Sequence, residues 1–153
     1  MAQVVAIDAN ILLVYVVGRR HAEYLGIKKH LKEYMPEDFT TLCQILERFD
    51  KILITPNVVT ECSDLLPDSS EFDDARSFLK ELLLQRQLVE EKYISSADAV
   101  MMRQYSFLGV ADCAMLSLVN DDVVLLTADQ KLAREAQMVN HCSINFNHYR
   151  RFL

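Results

Sequence analysis

The chain has 153 residues, of which 51% are hydrophobic and 25% are charged, with only three glycines and three prolines. This is the composition of one globular domain spanning 1–153, and it excludes a disordered chain or an integral membrane protein. The net charge of −6 excludes a general nucleic-acid coat protein, which is usually basic, but it leaves open an enzyme with local basic patches.

The termini and the cysteines indicate the compartment. No apolar run reaches the roughly 18 residues that a membrane span needs. The first residues lack the basic region, apolar core and cleavage site of a signal peptide. We therefore expect a cytoplasmic protein with no membrane partner. The four cysteines form no C-x-x-C motif and are predicted to be buried free thiols: Cys43, Cys62, Cys113 and Cys142.

The first half of the chain alternates short apolar runs with helical patterns. Val4 to Ile7 is an apolar run that stops at Asp8, which predicts a strand buried on both faces with Asp8 at its carboxyl end. Gly18 is expected to end the first helix, and Thr55 followed by proline to open a later one. Apolar spacing predicts helices over 10–17, 22–34, 37–49 and 57–66, and a strand over 51–55.

The second half continues the alternation. The patterns predict helices over 71–88, 95–106, 111–119 and 130–137, strands over 89–94, 123–127 and 142–146, and a basic-aromatic tail over 149–153. Strands that alternate with helices indicate an α/β fold with three layers, in which helices cover both faces of a mostly parallel sheet of four to five strands. Right-handed crossovers then place the carboxyl ends of all strands at one edge.

Four carboxylates reach that edge in this topology. Asp8 ends the first strand, Glu61 lies on the helix after the second, and Asp129 follows the strand over 123–127. Asp112 begins the helix that leads into that strand. Each residue alone has a structural explanation, since acids favour turns and helix N-termini.

Together the four acids pose an electrostatic problem. Two unit charges about 4 Å apart repel each other by about 4 kcal/mol at an effective dielectric constant near 20. Clustered carboxylates therefore raise one another's pKa values unless a cation neutralises them. Mg²⁺ or Mn²⁺ suits an all-oxygen site, and zinc is disfavoured because no cysteine or histidine joins the four acids.

The acids lie within motifs that resemble those of the PIN domain nucleases, in the same order. The four motifs read Ile-Asp-Ala-Asn at 7–10, Val-Val-Thr-Glu-Cys at 58–62, Gly-Val-Ala-Asp-Cys-Ala at 109–114 and Leu-Leu-Thr-Ala-Asp at 125–129. The resemblance covers nearly the whole chain. It departs from the family at Ala9, where threonine or serine is frequent, and at Cys113 after the third acid. Neither departure removes a carboxylate.

The resemblance implies a metal-dependent endoribonuclease. Asp8, Glu61, Asp112 and Asp129 would be both the metal ligands and the catalytic residues, with Asp8 and Asp112 as principal ligands. Activation of water for in-line attack on phosphorus would leave a 5′-phosphate and a 3′-hydroxyl. Residues expected to orient the ligands or the phosphate are Asn10 and Thr127. Residues expected to hold the RNA backbone are Arg19, Arg20, Lys28 and Lys29.

Several alternatives stay open at this point. A PIN-like fold with a vestigial site could serve as a protein-binding module, although all four acids are present. A phosphatase would carry a second aspartate at position 10, where this chain has Asn10, and a receiver domain would carry one after the strand over 51–55. Within the nuclease interpretation, a toxin of a toxin–antitoxin pair and a housekeeping RNA-processing enzyme are both open. The first would bring an antitoxin or other regulatory protein as partner, and many such toxins are homodimers.

Overall fold

Five strands form a single sheet in the computed structural model, which describes residues 3–150. The strands are β1 (Val4–Ile7), β2 (Lys51–Ile54), β3 (Val89–Glu91), β4 (Val123–Thr127) and β5 (Ile144–Asn145). Their order is β3-β2-β1-β4-β5, and every neighbouring pair is parallel. The predicted parallel sheet of an α/β fold is therefore confirmed.

Helices cover both faces of this sheet. They are α1 (Ala9–His21), α2 (Pro36–Leu46), α3 (Pro56–Leu65), α4 (Asp73–Leu84), α5 (Ser96–Val100), α6 (Val110–Ser117) and α7 (Gln130–Val139). The chain moves outward in one direction from β1 to β3 and in the other from β3 to β5, so right-handed crossovers place α1 to α4 and α5 to α7 on opposite faces. Accordingly α1 packs against α2, α3 and α4, whereas α6 packs against α5 and α7.

The first strand occupies the centre of the sheet, as its sequence indicates. It pairs with β2 on one side and β4 on the other, and Val5, Ala6 and Ile7 are all 0% exposed. A strand with helices above and below it buries both faces, which is why its residues form one continuous apolar run without polar alternation. The carboxyl end of β1 is therefore in the middle of the carboxyl edge of the sheet.

Gly18 does not end the first helix, so that prediction was wrong. The helix α1 continues through Gly18 to His21. A Cβ atom at Gly18 would lie 2.4 Å from Cδ2 and 3.0 Å from Cβ of Phe39. The residue is a glycine because Phe39 of α2 packs directly against the backbone of α1 at this point, which leaves no space for a side chain.

We expect Gly18→Ala to destabilise the protein by about 1–2 kcal/mol in urea unfolding. Alanine favours a helix interior over glycine by about 1 kcal/mol, but a methyl group only 2.4 Å from Phe39 carries an overpacking penalty in the upper part of the usual range, about 2–3 kcal/mol. The matched control is Gly109→Ala, where nothing lies within 4 Å of the added Cβ. An unchanged or higher stability of Gly18→Ala would show that α2 moves away freely.

The helix predicted over 22–34 does not form. Only a 3₁₀ turn over Ala22–Tyr24 is present, and the chain then reverses through Gly26 at φ 85° and His30 at φ 68°. Gly26 N–H donates to the carbonyl of Leu31 at 2.9 Å, which closes the loop. The left-handed residues interrupt the helix, and the loop instead buries Leu25, Leu31 and Tyr34 in the core.

Other elements are also shorter than predicted, including the strand expected over 89–94, which contains only Val89–Glu91, and the helix expected over 37–49, which ends at Leu46. The helix expected over 71–88 is a 3₁₀ turn at Ser70–Phe72 followed by α4, and the helix expected over 95–106 is α5 followed by a 3₁₀ turn at Arg103–Ser106. The second break arises where Met102 adopts an extended ψ of 143°. The last strand contains only Ile144–Asn145. The final three residues of the predicted tail lie outside the described residues.

The cysteines are free thiols, as predicted, but they are not all buried. Cys62 and Cys113 are buried and Cys43 is partly buried, whereas Cys142 is exposed. Cys142 is exposed because it precedes β5, which starts only at Ile144. Across residues 3–150, none of the helices has both the length and the apolar character needed to cross a membrane.

Candidate functional site

Asp8 lies at the carboxyl end of the central strand and is also the N-cap of α1. Its Oδ1 accepts a hydrogen bond from the backbone N–H of Ile11 at 3.2 Å, and its Oδ2 accepts one from the hydroxyl of Thr127. The residue is only 9% exposed. Capping alone explains an aspartate here, but it does not explain why the carboxylate is buried and held by a second strand.

Thr127 connects two of the acids. It is the last residue of β4, which neighbours β1, and it is 0% exposed. While its hydroxyl donates to Asp8, its Oγ1 accepts from the backbone N–H of Asp129 at 3.0 Å. Asp129 in turn caps α7 by accepting from Leu132 N–H at 3.0 Å. The two strand ends are therefore joined through polar groups at the carboxyl edge.

Asp112 and Glu61 approach the same edge from opposite layers. Asp112 is in the first turn of α6, and Glu61 is on α3. Glu61 and Ala111, the neighbour of Asp112, line one surface depression of about 480 Å³. Asn10, in the first turn of α1, is exposed. The depression thus runs between the helices that carry two of the predicted acids.

The pKa values show that these carboxylates influence one another. Burial raises the pKa of Asp8 to about 6; its hydrogen bonds with Thr127 and Ile11 oppose this rise, and the charges of Asp112 and Asp129 add to it. Burial also raises the pKa of Asp112, and the charges of Asp129 and Glu61 raise it further. Each of the four acids therefore interacts electrostatically with at least one other.

The acids do not form a ready-made metal cage. Among residues 3–150, no three His, Cys, Asp or Glu side chains are arranged so that they could hold a metal ion together. The donor chemistry nevertheless fits Mg²⁺ or Mn²⁺, because carboxylate oxygens are the ligands these ions prefer. Mg²⁺ commonly keeps several waters and takes only one or two carboxylates from the protein. Asp8 is suited to this role, since a nearby cation would offset its burial and its acidic neighbours.

The structure places two of the predicted basic residues, Arg19 and Arg20, away from the carboxylates. Arg19 and Arg20 are in the last turn of α1, which starts next to Asp8, so they lie about 17 Å along the helix from it. Arg20 pairs with Glu81 at 2.9 Å and Lys28 pairs with Glu71 at 3.0 Å.

Lys29 belongs to the same loop as Lys28 and is exposed. Both lysines lie in the segment between the 3₁₀ turn at Ala22–Tyr24 and α2, which was predicted to be helical and is not. Their predicted role on RNA stays a prediction.

A buried ion pair beside the site was not foreseen. Arg150 Nε lies 3.2 Å from Asp38 Oδ2, and the two side chains are only 6% and 4% exposed. The guanidinium stacks over the ring of Tyr34, with 4.5 Å from Cζ to the centroid. Burial raises the pKa of Tyr34, and the charges of Glu33 and Asp8 raise it further, so Tyr34 lies within electrostatic range of Asp8.

Of the two residues in this ion pair, only Asp38 lies in a recognisable sequence pattern. Asp38 follows Met35 and Pro36, which is a helix start, and its Oδ2 accepts from Met35 N–H at 2.8 Å. Nothing local marks Arg150, which lies 112 positions further along the chain.

Comparisons with known proteins identify no relative of this chain. No protein family model matches the chain, and no curated protein or solved structure is significantly similar to it.

Proposed function

We propose that this protein is a divalent-metal-dependent endoribonuclease of the PIN type, with Asp8, Glu61, Asp112 and Asp129 as its catalytic acids. The observation that carries the proposal is the buried carboxylate of Asp8. It ends the central strand, its pKa is raised to about 6, and two other acids contribute to that rise. A buried, perturbed acid among other acids at the carboxyl edge of a parallel sheet is a typical functional site.

Each residue has a distinct role in this proposal. Asp8 and Asp112 would hold Mg²⁺ or Mn²⁺, with Glu61 and Asp129 completing the site directly or through water. The ion would supply a Lewis acid that promotes deprotonation of water and offsets charge on the phosphate. Thr127 orients Asp8 through its hydroxyl. Asn10, exposed in the first turn of α1, would help to orient the ligands or the scissile phosphate.

The reaction would be hydrolysis of an RNA phosphodiester. The oxygen of water bonds to phosphorus, the bond from phosphorus to the 3′ oxygen breaks, and that oxygen takes up a proton. The products carry a 5′-phosphate and a 3′-hydroxyl. As part of the proposal, the protein is cytoplasmic, and an antitoxin-like regulatory protein and a second copy of the chain are its candidate partners.

The test is cleavage of a mixed pool of single-stranded and structured RNA with Mg²⁺, with Mn²⁺ and with EDTA. We expect metal-dependent cutting that leaves 5′-phosphates. Asp112→Asn should lower the rate by about 100-fold or more, because it removes one charged ligand. The matched control is Asp121→Asn, an exposed aspartate before β4 at the amino edge of the sheet, which should cut like the wild type. Well-folded protein that never cuts, or that cuts equally in EDTA, would refute the proposal.

Binding of the metal should also be visible as stabilisation. We expect Mg²⁺ or Mn²⁺ to raise the melting temperature of the wild type by an amount that grows with ion concentration, since the ion binds only the folded state. The shift should shrink in Asp112→Asn and persist in Asp121→Asn. Equal shifts in all three proteins would count against a metal site at Asp112.

A further inference from the structure

Three aromatic side chains are exposed in the segment between β3 and α6. Tyr93 is 78% exposed, and Tyr105 and Phe107 are each 45% exposed. Aromatic rings usually bury most of their surface, because they carry the largest apolar area of any side chains. Other aromatic side chains of this chain, such as Phe72 and Phe146, are fully buried. The three exposed rings lie within 15 positions of one another and therefore require an explanation.

Tyr93 lies at the edge of the sheet that carries the acids. The backbone N–H of Lys92 donates to the carbonyl of Ile54, the last residue of β2, at 2.8 Å. Tyr93 therefore follows directly after the carboxyl ends of β3 and β2. The strand β1, which ends before Asp8, is two positions along the sheet. With about 4.8 Å between neighbouring strands, the backbone of Tyr93 is offset from that of Asp8 by about 10 Å across the sheet.

Phe107 is attached to the helix that carries Asp112. It precedes Gly109, the N-cap of α6, by two residues. Its neighbour Leu108 is buried, and the backbone N–H of Leu108 donates to the carbonyl of Gln104 at 2.8 Å. The side chain of Gln104 bonds to Glu135 of α7 at 3.3 Å. These contacts hold the 3₁₀ turn at Arg103–Ser106 in place, so Tyr105 and Phe107 are presented from a fixed backbone at the start of α6.

We propose that Tyr93, Tyr105 and Phe107, here called the aromatic rim, stack on unpaired bases of single-stranded RNA, an inference that rests on the proposed nuclease function. Exposed aromatic rings bind single strands because every unpaired base has a face that can stack, whereas the bases of a duplex are already stacked. Tyr93 follows the end of β3 and Phe107 precedes the helix that carries Asp112, so bases held by these rings would belong to nucleotides near the phosphate being cut.

The charge of the protein limits the contribution of phosphate contacts to RNA binding. Most nucleic-acid-binding proteins obtain their affinity from Lys and Arg contacts with phosphates. This chain carries a net charge of −6, and Arg19 and Arg20 lie at the far end of α1 from Asp8. Near the rim, Arg103 has a side chain that is 71% exposed. Stacking therefore has to provide the larger part of the affinity for a single strand, and binding should depend only weakly on salt.

The test measures binding of a short, unstructured, fluorescently labelled RNA by anisotropy, in EDTA so that the probe is not cut. We expect Tyr93→Leu and Phe107→Leu each to weaken binding by about 5- to 150-fold, the equivalent of about 1–3 kcal/mol per stacked base. Tyr93→Phe should bind like the wild type, because the ring is retained. The matched control is Tyr149→Leu, which removes an exposed tyrosine. Tyr149 lines a cleft beside the amino ends of β1, β4 and β5, at the edge of the sheet opposite the acids.

Two further probes separate stacking from other modes of binding. The wild type should bind a baseless probe of the same length no more tightly than the leucine variants bind intact RNA. The wild type should also bind a duplex more weakly than a single strand. The proposal is overturned if the wild type has no affinity for the single strand or binds the baseless probe equally well. Leucine variants that bind like the wild type would also overturn it, and the rim would then be assigned to a protein partner.

The same samples are assayed for cleavage with Mg²⁺ and Mn²⁺ in a separate experiment. Rim-dependent binding without any cleavage would refute the nuclease and leave the stacking surface intact. Cleavage by the wild type together with unaltered binding by the leucine variants would support the nuclease and refute the stacking surface. The two proposals can therefore fail independently.

Discussion

Replacing Asp8 with asparagine is expected to abolish RNA cleavage and, in the absence of metal, to make the protein more stable at neutral pH. The loss of activity should be at least about 1,000-fold, because a principal ligand and its charge are removed at nearly constant shape. The gain in stability is expected because the native carboxylate is buried among other acids and its pKa is raised to about 6.

The direction of the stability effect follows from proton binding. Between about pH 4 and pH 6 the folded protein binds a proton at Asp8 that the unfolded chain, with a pKa of 3.8, has already released. Stability is therefore lost as the pH rises through this interval, by about 3 kcal/mol in total. Asparagine avoids this loss and can still cap α1, but it gives up one acceptor, at a penalty of about 1 kcal/mol.

Urea unfolding of the metal-free proteins at several pH values provides the measurement. Asp8→Asn should be about 1–2 kcal/mol more stable than the wild type at pH 7, and this advantage should disappear below about pH 4. Asp121→Asn should remain within about 0.5 kcal/mol of the wild type at every pH. A variant that unfolds at neutral pH would identify Asp8 as a purely structural cap, and one that still cuts RNA would exclude it from catalysis.

Arg150→Met is expected to reduce the free energy of unfolding by about 3–5 kcal/mol, one of the largest losses for any single substitution away from the apolar core. The substitution leaves the carboxylate of Asp38, which is only 4% exposed, without its cation. It also removes the hydrogen bond to Asn147 at 2.9 Å and the stacking over Tyr34. The remaining hydrogen bond from Met35 N–H to Asp38 places the expected value near the lower end of this range.

The comparison with a pair whose arginine is exposed tests this explanation. Arg103→Met breaks the contact with Glu135, but the arginine side chain is 71% exposed, and Glu135, which is 13% exposed, keeps its hydrogen bond from Gln104, so a loss below about 1 kcal/mol is expected. The double substitution Asp38→Asn and Arg150→Met should recover part of the stability, because it removes the unpaired buried charge. If Arg150→Met and Arg103→Met lose equal amounts, the buried pair contributes no more than a surface contact.

Much of the fold could be read from local patterns. The apolar runs Val4–Ile7 and Val123–Thr127 became the central strands with their predicted bounds, because a strand buried on both faces needs apolar residues at consecutive positions. The capping pattern at Thr55 also started α3 where it was expected. Predictions of this kind succeed when the signal and the structure involve residues a few positions apart.

The sequence by itself also determined which acids share an edge. Once the strands were assigned as parallel, Asp8 and Asp129 were expected at the same carboxyl edge, with Asp112 at the start of the helix before β4. The shared edge therefore follows from residue types and their order, whereas only the structure shows that β1 and β4 are neighbours. The PIN resemblance is consistent with this arrangement, and its nuclease chemistry stays a prediction.

Only the tertiary structure decided what surrounds those acids and how the connecting segments run. The hydrogen bond from Thr127 to Asp8 joins residues 119 positions apart, and the Arg150–Asp38 pair joins residues 112 apart. Gly18 stays inside α1 because Phe39 packs against it, although glycine usually favours helix ends. Such contacts depend on how whole elements pack, and local periodicity reports only whether a residue is buried, not which distant residue it meets.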